Sequence, residues 1–297
     1  MRILQFLCLG LLLIACDENN KALPKSTGSA NEIIVVVSDA IWEKHPSEAI
    51  KNIFSKDYPG LQQSEPFFNV IRIDPADFSS IFKTHQNIIL ISENGEEGKR
   101  KDVWASPQLL VKMNWSPESN KTQFAANCEQ YARQFYQNQL QKIRQKHTVN
   151  KQKTANKFGM ELYLPSEYSI VENNPKLFWA TYNPKNKDLI KQLLVFNFKI
   201  NEINFHENLI TKVDSVLAKT LKGRAEDNFV KIEKRFPLEI SANTYRGLWK
   251  MENDFMGGPF LMRIKNQKEG DITIAIGIVF APGETKKRFM IEMDAVL

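Results

Sequence analysis

Cysteine is scarce in this chain. There are three, and Cys8 and Cys16 fall in the leading stretch, so Cys128 stands alone in the body of the protein. No internal disulfide framework is open to it, and the fold has to rest on its core. Histidine is nearly as scarce. His45, His85, His147 and His206 are far apart and form neither a His-Glu-x-x-His nor a Cys/His ligand spacing. No metal ion and no cofactor is therefore expected. No Gly-x-Ser-x-Gly elbow is present, and His206-Glu207 has no second histidine four residues on. No residue is assigned a catalytic role. A strong charge of one sign is also missing: the net formal charge is +6. Nucleic-acid binding needs a concentrated basic face, so no nucleic-acid partner is expected. Beyond the opening stretch, no apolar run is long enough to span a bilayer.

The opening stretch is the most informative part. Arg2 is a short basic start, and Ile3 to Ala15 is almost wholly apolar. That length suits a signal-peptide core and falls short of the about 20 residues of a spanning helix. It ends in Leu13-Ile14-Ala15-Cys16, which resembles the bacterial lipobox. The resemblance implies that Cys16 carries lipid and becomes the new N-terminus, with the membrane as partner through that anchor. The expected location is the cell envelope, at the outer membrane. Asp17-Glu18 fits either a surface-export or an inner-membrane retention signal, and both stay open.

Residues 1–15 are read as a signal peptide and 16–31 as the lipidated N-terminus with a flexible tether. Residues 32–150 form an N-terminal α/β lobe, and 151–297 a C-terminal α+β lobe. Asp17 to Asn31 is polar and small, with a coil length averaging roughly 20 Å. Ile33–Val37 is a β-branched run, hence a strand buried on both faces. Strands are expected at Phe67–Ile73, Asn87–Ser92 and Gln108–Trp115. Between them lie a helix opened by Pro46 and another opened by Asp74-Pro75, with Phe78, Ile81 and Phe82 facing inward. Glu93–Lys101 reads as an exposed loop. A long helix over Pro117–His147 carries Phe124, Cys128, Tyr131 and Phe135 on one face and ends in a basic, solvated cluster. In the second half, strands are expected at Phe158–Leu164, Leu177–Tyr182, Gln192–Lys199, Phe229–Phe236, Thr244–Glu252 and Phe260–Lys265. Alternating Ile272, Ile274, Ile276, Ile278 and Phe280 mark one more. A helix with Leu209, Ile210, Val213, Val216 and Leu217 as its stripe ends near a C-cap Gly223, and another closes the chain. The fold class is α/β to α+β in two lobes. The N-terminal lobe has a small sheet with crossover helices and a long helix, and the C-terminal lobe is an antiparallel-rich αβ sandwich.

Four stretches together resemble one family. They are Asn31-Glu32-Ile33-Ile34-Val35-Val36-Val37, Arg72-Ile73-Asp74-Pro75-Ala76-Asp77-Phe78, Asp102-Val103-Trp104-Ala105-Ser106-Pro107-Gln108 and Met256-Gly257-Gly258-Pro259-Phe260. The family is that of bacteroidete-type lipoproteins with a domain of unknown function. The likeness implies an envelope lipoprotein and adds no activity. The second half, with Leu164 to Tyr168 as a turn, is also similar in architecture to PsbP/Mog1-like modules.

The candidate binding surface comprises Trp104, Gln108, Met256, Gly257 and Gly258. Trp104 and Gln108 flank a rigid proline turn, and the glycines permit close approach of a ligand or strand. Cys128 lies on an apolar stripe and reads as an inert buried thiol. The functional expectation is a non-catalytic binding or scaffolding module holding an envelope protein or glycan. The alternative is an envelope hydrolase acting on glycan or peptide through a dispersed site.

Overall fold

The β-branched run becomes β1 (Glu32–Val36), an interior strand of a five-stranded sheet ordered β2-β1-β3-β5-β4. In this computed structural model, residues 22–147, 157–200, 205–266 and 270–297 are described. The opening stretch with Cys16, and the expected boundary at 150–151, lie outside them. β2 (Asn69–Ile73), β3 (Asn87–Ser92) and β5 (Leu109–Asn114) run parallel with β1, as crossover connections require. One face is covered by α2 (His45–Phe54) and α4 (Lys121–Lys146), with Ile50, Phe54, Phe124, Cys128 and Phe135 in the core. The other face is thinly covered. Among the described residues it has a small cluster around Val36, Ile88 and Leu110, edged by Phe78, Phe82 and Trp104. α1 (Asp39–Trp42) is a single turn beyond β1.

Several local expectations are corrected. Part of the charged stretch Glu93–Lys101 forms β4 (Gly98–Lys101), antiparallel to β5. Its Lys and Arg side chains suit a sheet edge that must resist further pairing. Asp74 does cap, accepting from the Ala76 N–H at 2.9 Å, but only a 3-10 turn follows before the short α3 (Ser80–Lys83). Ile81 faces outward and is 70% exposed, because so short a helix presents no continuous inner stripe. The tether is largely fixed from Pro24 onward. The Pro24 carbonyl accepts from Ser106 N–H at 2.9 Å, and Thr27 N–H donates to the Thr84 carbonyl at 2.9 Å.

The second lobe is an eight-stranded antiparallel sheet. Its strands are β6 (Ser169–Asn173), β7 (Leu177–Tyr182), β8 (Ile190–Lys199), β9 (Val230–Ile232), β10 (Glu239–Ser241), β11 (Thr244–Met251), β12 (Gly257–Asn266) and β13 (Asp271–Phe280). β6 and β10 are short edges with little apolar pattern to announce them. Phe158–Leu164 is not a strand despite its alternation. Its backbone is used elsewhere: Thr273 Oγ1 donates to the Phe158 carbonyl, and Tyr163 N–H donates to the Val296 carbonyl. Gly223 does not end its helix in the left-handed conformation; its N–H closes a loop onto the Asn228 carbonyl.

Both faces of β13 are buried, although its alternation of isoleucines calls only for one. Ile272, Ile274, Ile276 and Ile278 pack toward α5 (Phe205–Thr220) with Leu209, Val213 and Leu217. Ala275 and Val279 pack on the other side with α6 (Lys287–Val296). Gly277 lies on that side too, and a Cβ there would overlap the Met293 thioether, so α6 sits close on the strand.

α6 also joins the lobes. Tyr58 and Leu140 of the first lobe belong to its core cluster. At its start, the Glu65 carboxylate accepts from Lys286 and Lys287 N–H at 2.6 and 3.0 Å. At its end, Arg144 Nε donates to the Ala295 carbonyl at 2.9 Å. Arg144 is thus a clamp on a helix C-terminus, where a cation is favoured, and not part of a solvated basic end.

Candidate ligand cleft

Helix α5 ends at Thr220 before the sheet face beneath it is fully covered. The uncovered part is a cleft of about 560 Å³. Its floor is supplied by alternate residues of neighbouring strands: Ile190 from β8, Trp179 from β7, Trp249 and Met251 from β11, Ile278 from β13. Strand alternation sends these side chains to one face. Trp179 Nε1–H donates to Gln192 Oε1 at 2.8 Å, which fixes the indole.

Trp249 is held differently. Continuing the Phe260–Ile278 register by one step sets Pro259 opposite Val279. Proline has no N–H to offer, and the Trp249 indole donates to the Val279 carbonyl at 3.1 Å. It reaches past Gly258, where a Cβ would overlap that same carbonyl. Gly258 is therefore needed for close approach.

Two loops form the mouth. Asn228 stitches them: its Nδ2 donates to the carbonyls of Glu252 and Asn253 at 3.2 and 3.0 Å, and its Oδ1 accepts from Ala225 N–H at 2.9 Å. Asp254 turns its carboxylate onto Phe255 and Met256 N–H at 2.6 and 3.3 Å. Phe255 at the tip is 91% exposed. Lys222 and Arg224 stand exposed on the opposite loop and line the same cleft. A second hollow of about 390 Å³ adjoins it, sharing Trp249 and Phe255 and lined by Gly257, Gly258 and Pro259.

The residues singled out in the sequence fall into two groups. Met256 lines the first cleft, and Gly257 and Gly258 the second. Trp104 and Gln108 are in the other lobe and share neither hollow. The buried Gln108 acts inside its lobe: Oε1 accepts from Trp104 N–H at 3.0 Å, and Nε2 donates to the carbonyls of Lys83 and His85, each at 2.7 Å. Trp104 packs edge-on against Phe78 at 5.8 Å between ring centroids. The expected surface is thus split, because nothing in a sequence reports which lobe faces meet. Sequence reasoning missed Trp179, Trp249 and Phe255. The first two sit in strands that were expected, and the face each took was the missing information.

Three titratable groups elsewhere are tied up. Burial pushes the Cys128 thiol up to about 12, so it stays protonated and unreactive. The buried Lys191 ammonium meets both Glu292 oxygens at 2.6 Å and lies over the Tyr182 ring at 5.0 Å. His206 Nδ1 pairs with the Tyr245 hydroxyl at 2.8 Å. Among the described residues, no group of three or more His, Cys, Asp or Glu is placed to hold a metal ion. None of the described helices is long and apolar enough to cross a membrane.

A family model described as a domain of unknown function, DUF4837, matches residues 147–297. A second, also a domain of unknown function, DUF8532, matches residues 26–148. No curated protein matches the chain. Among solved structures, the human StarD13 (DLC2) lipid transfer and protein localization domain is similar over 43% of this chain and 84% of that one. The identity is 8% and the TM-score 0.20, too weak a likeness to carry an argument about function.

Proposed function

The chain belongs to the DUF4837 family, and we propose that it is an envelope lipoprotein, anchored through Cys16, whose second lobe is a non-catalytic binding module. The observation that carries the binding role is the cleft itself. Trp179, Trp249, Met256 and Ile278 offer an apolar bed, and Lys222 and Arg224 a cationic edge. Concave, mostly apolar sites with a few polar groups at one end suit ligands of matching polarity. The ligand expected there has an apolar body and an acidic end, as a partner's apolar segment or an acyl chain has. The anchor rests on the Leu13-Ile14-Ala15-Cys16 motif and its setting.

Calorimetric titration of the full chain with palmitate tests the cleft. Saturable binding is expected. Trp179→Ala should weaken it by tenfold or more, and Lys222→Glu with Arg224→Glu should weaken it for palmitate but not for the uncharged alcohol. Unsaturable heats, or equal binding by all variants, would overturn the reading. Cys16→Ala tests the anchor: the variant should leave the membrane fraction.

A further inference from the structure

We infer that the thinly covered face of the first lobe lies against the lipid bilayer, with Leu23, Ile81 and Trp104 in contact with it. The inference rests on the lipid anchor proposed at Cys16. Its own observation is how soon after Cys16 the chain is pinned to the fold.

Ala22 is the first described residue, and six residue steps from Cys16 span at most about 21 Å. From there the chain is fixed at one place. Ser106 receives it from both sides: its N–H donates to the Pro24 carbonyl at 2.9 Å, and its carbonyl accepts from Ser26 N–H at 3.1 Å. Thr27 then bonds the Thr84 carbonyl at 2.9 Å, and Gln86 N–H donates to the Thr27 carbonyl at 3.1 Å. Ser106 is two residues from Trp104, and Thr84 follows α3, so the entry point and this face are one region. A lipid on Cys16 holds that region near the membrane surface whatever the rest of the protein does.

The side chains there suit a bilayer interface. Ile81 stands out from α3, and Leu23, beside the Pro24 attachment, is 42% exposed. Trp104 and Phe78 are half-buried at the rim of the thin cluster. The Lys83 ammonium lies over both rings, at 5.9 and 5.8 Å from their centroids. Aromatic rings and lysines with apolar stems favour the level of the lipid headgroups. The charge is mixed, with Lys25 and Asp77 both exposed. The contact is therefore made by apolar side chains and not by attraction to anionic lipid. A weak contact suffices, because the anchor makes it intramolecular.

The test uses the full-length protein purified from membranes and placed in vesicles of phosphatidylethanolamine and phosphatidylglycerol with brominated acyl chains. Bromine quenches tryptophan emission at short range. Emission should be quenched in the parent protein, and Trp104→Phe should remove half or more of the quenching. Ile81→Glu, a surface change that leaves every tryptophan in place, should reduce it as well, and raised salt should leave it unchanged. Equal quenching in the parent and Trp104→Phe would overturn the docking, as would quenching abolished by salt. Mass analysis of the N-terminal peptide separates the two readings. An acylated Cys16 without Trp104 quenching sinks the docking alone, whereas an unmodified Cys16 sinks both.

Discussion

Tyr136 and Asp294, 158 positions apart, meet across the two lobes: the phenol donates to the carboxylate at 2.6 Å. Asp294 is 2% exposed and stands in the last turn of α6. Its oxygens also receive Arg246 at 2.9 Å and Arg263. One carboxylate thus serves two guanidinium groups and a phenol. Asp294→Asn keeps the shape and removes the charge, leaving Arg246 and Arg263 without their counter-ion. A loss of about 3–5 kcal/mol is expected from breaking a buried pair at one partner. Tyr136→Phe should cost about 1.5–3 kcal/mol, the range for a hydrogen bond to a charged group. Urea midpoints of the full chain measure both, and an Asp294→Asn midpoint within error of the parent would contradict the network's role.

Tyr58, bonded to Tyr136 at 3.1 Å, sets an alkaline limit. Burial, with Asp294 adding to it, pushes its phenol from 10.0 up to about 12. The fold favours the protonated form. That stabilisation is complete below the unfolded value and is lost as pH rises through the window from 10 to about 12. The urea midpoint should therefore fall across that window, and Tyr58→Phe should flatten the fall. An equally steep decline in the variant would assign it to another group. Burial also raises Tyr136 well above 10.0, so some alkaline loss should remain.

Glu65 supplies the N-terminal carboxylate that α6 lacks in its own sequence, where no side chain caps. Glu65→Ala leaves two N–H groups without that acceptor, and a loss of about 1–2 kcal/mol is expected. Amide exchange at Lys286 and Lys287 should quicken by about tenfold or more. Unchanged protection would mean that the cap contributes nothing.

Gly258→Ala places a methyl against the Val279 carbonyl. Either the strand shifts or the Trp249 indole gives up its bond, and overpacking of this kind costs about 1–3 kcal/mol. Tryptophan emission should shift to the red, and palmitate affinity should fall. An unchanged spectrum with unchanged affinity would show that the strands relax freely there.

Much of the frame was readable in the chain. The run Ile33–Val37, the alternation from Ile272 to Phe280 and the stripe Phe124, Cys128, Phe135 each name an element and its inward face. The failures share a cause. Ile81 has an inward position only if the helix continues, and it does not. Phe158–Leu164 has the strand period, but its backbone bonds to Thr273 and to the end of α6 instead of to a neighbouring strand. Of the tether read as coil from Asp17 to Asn31, Pro24, Ser26 and Thr27 are pinned by Ser106 and Thr84, partners that local composition cannot reveal.

The sequence by itself determined the two-lobed α/β to α+β frame, the apolar setting of Cys128 and the lipobox-like opening, because each depends on short periods or on residue type. Only the tertiary structure decided the candidate surfaces. It brought Trp179 and Trp249 into one cleft with Met256, drew Gln108 inside its own lobe, and closed α6 between Glu65 and Arg144. Those outcomes depend on which faces meet across more than a hundred residues. Hydrophobic periodicity specifies that a face will be buried, not what buries it.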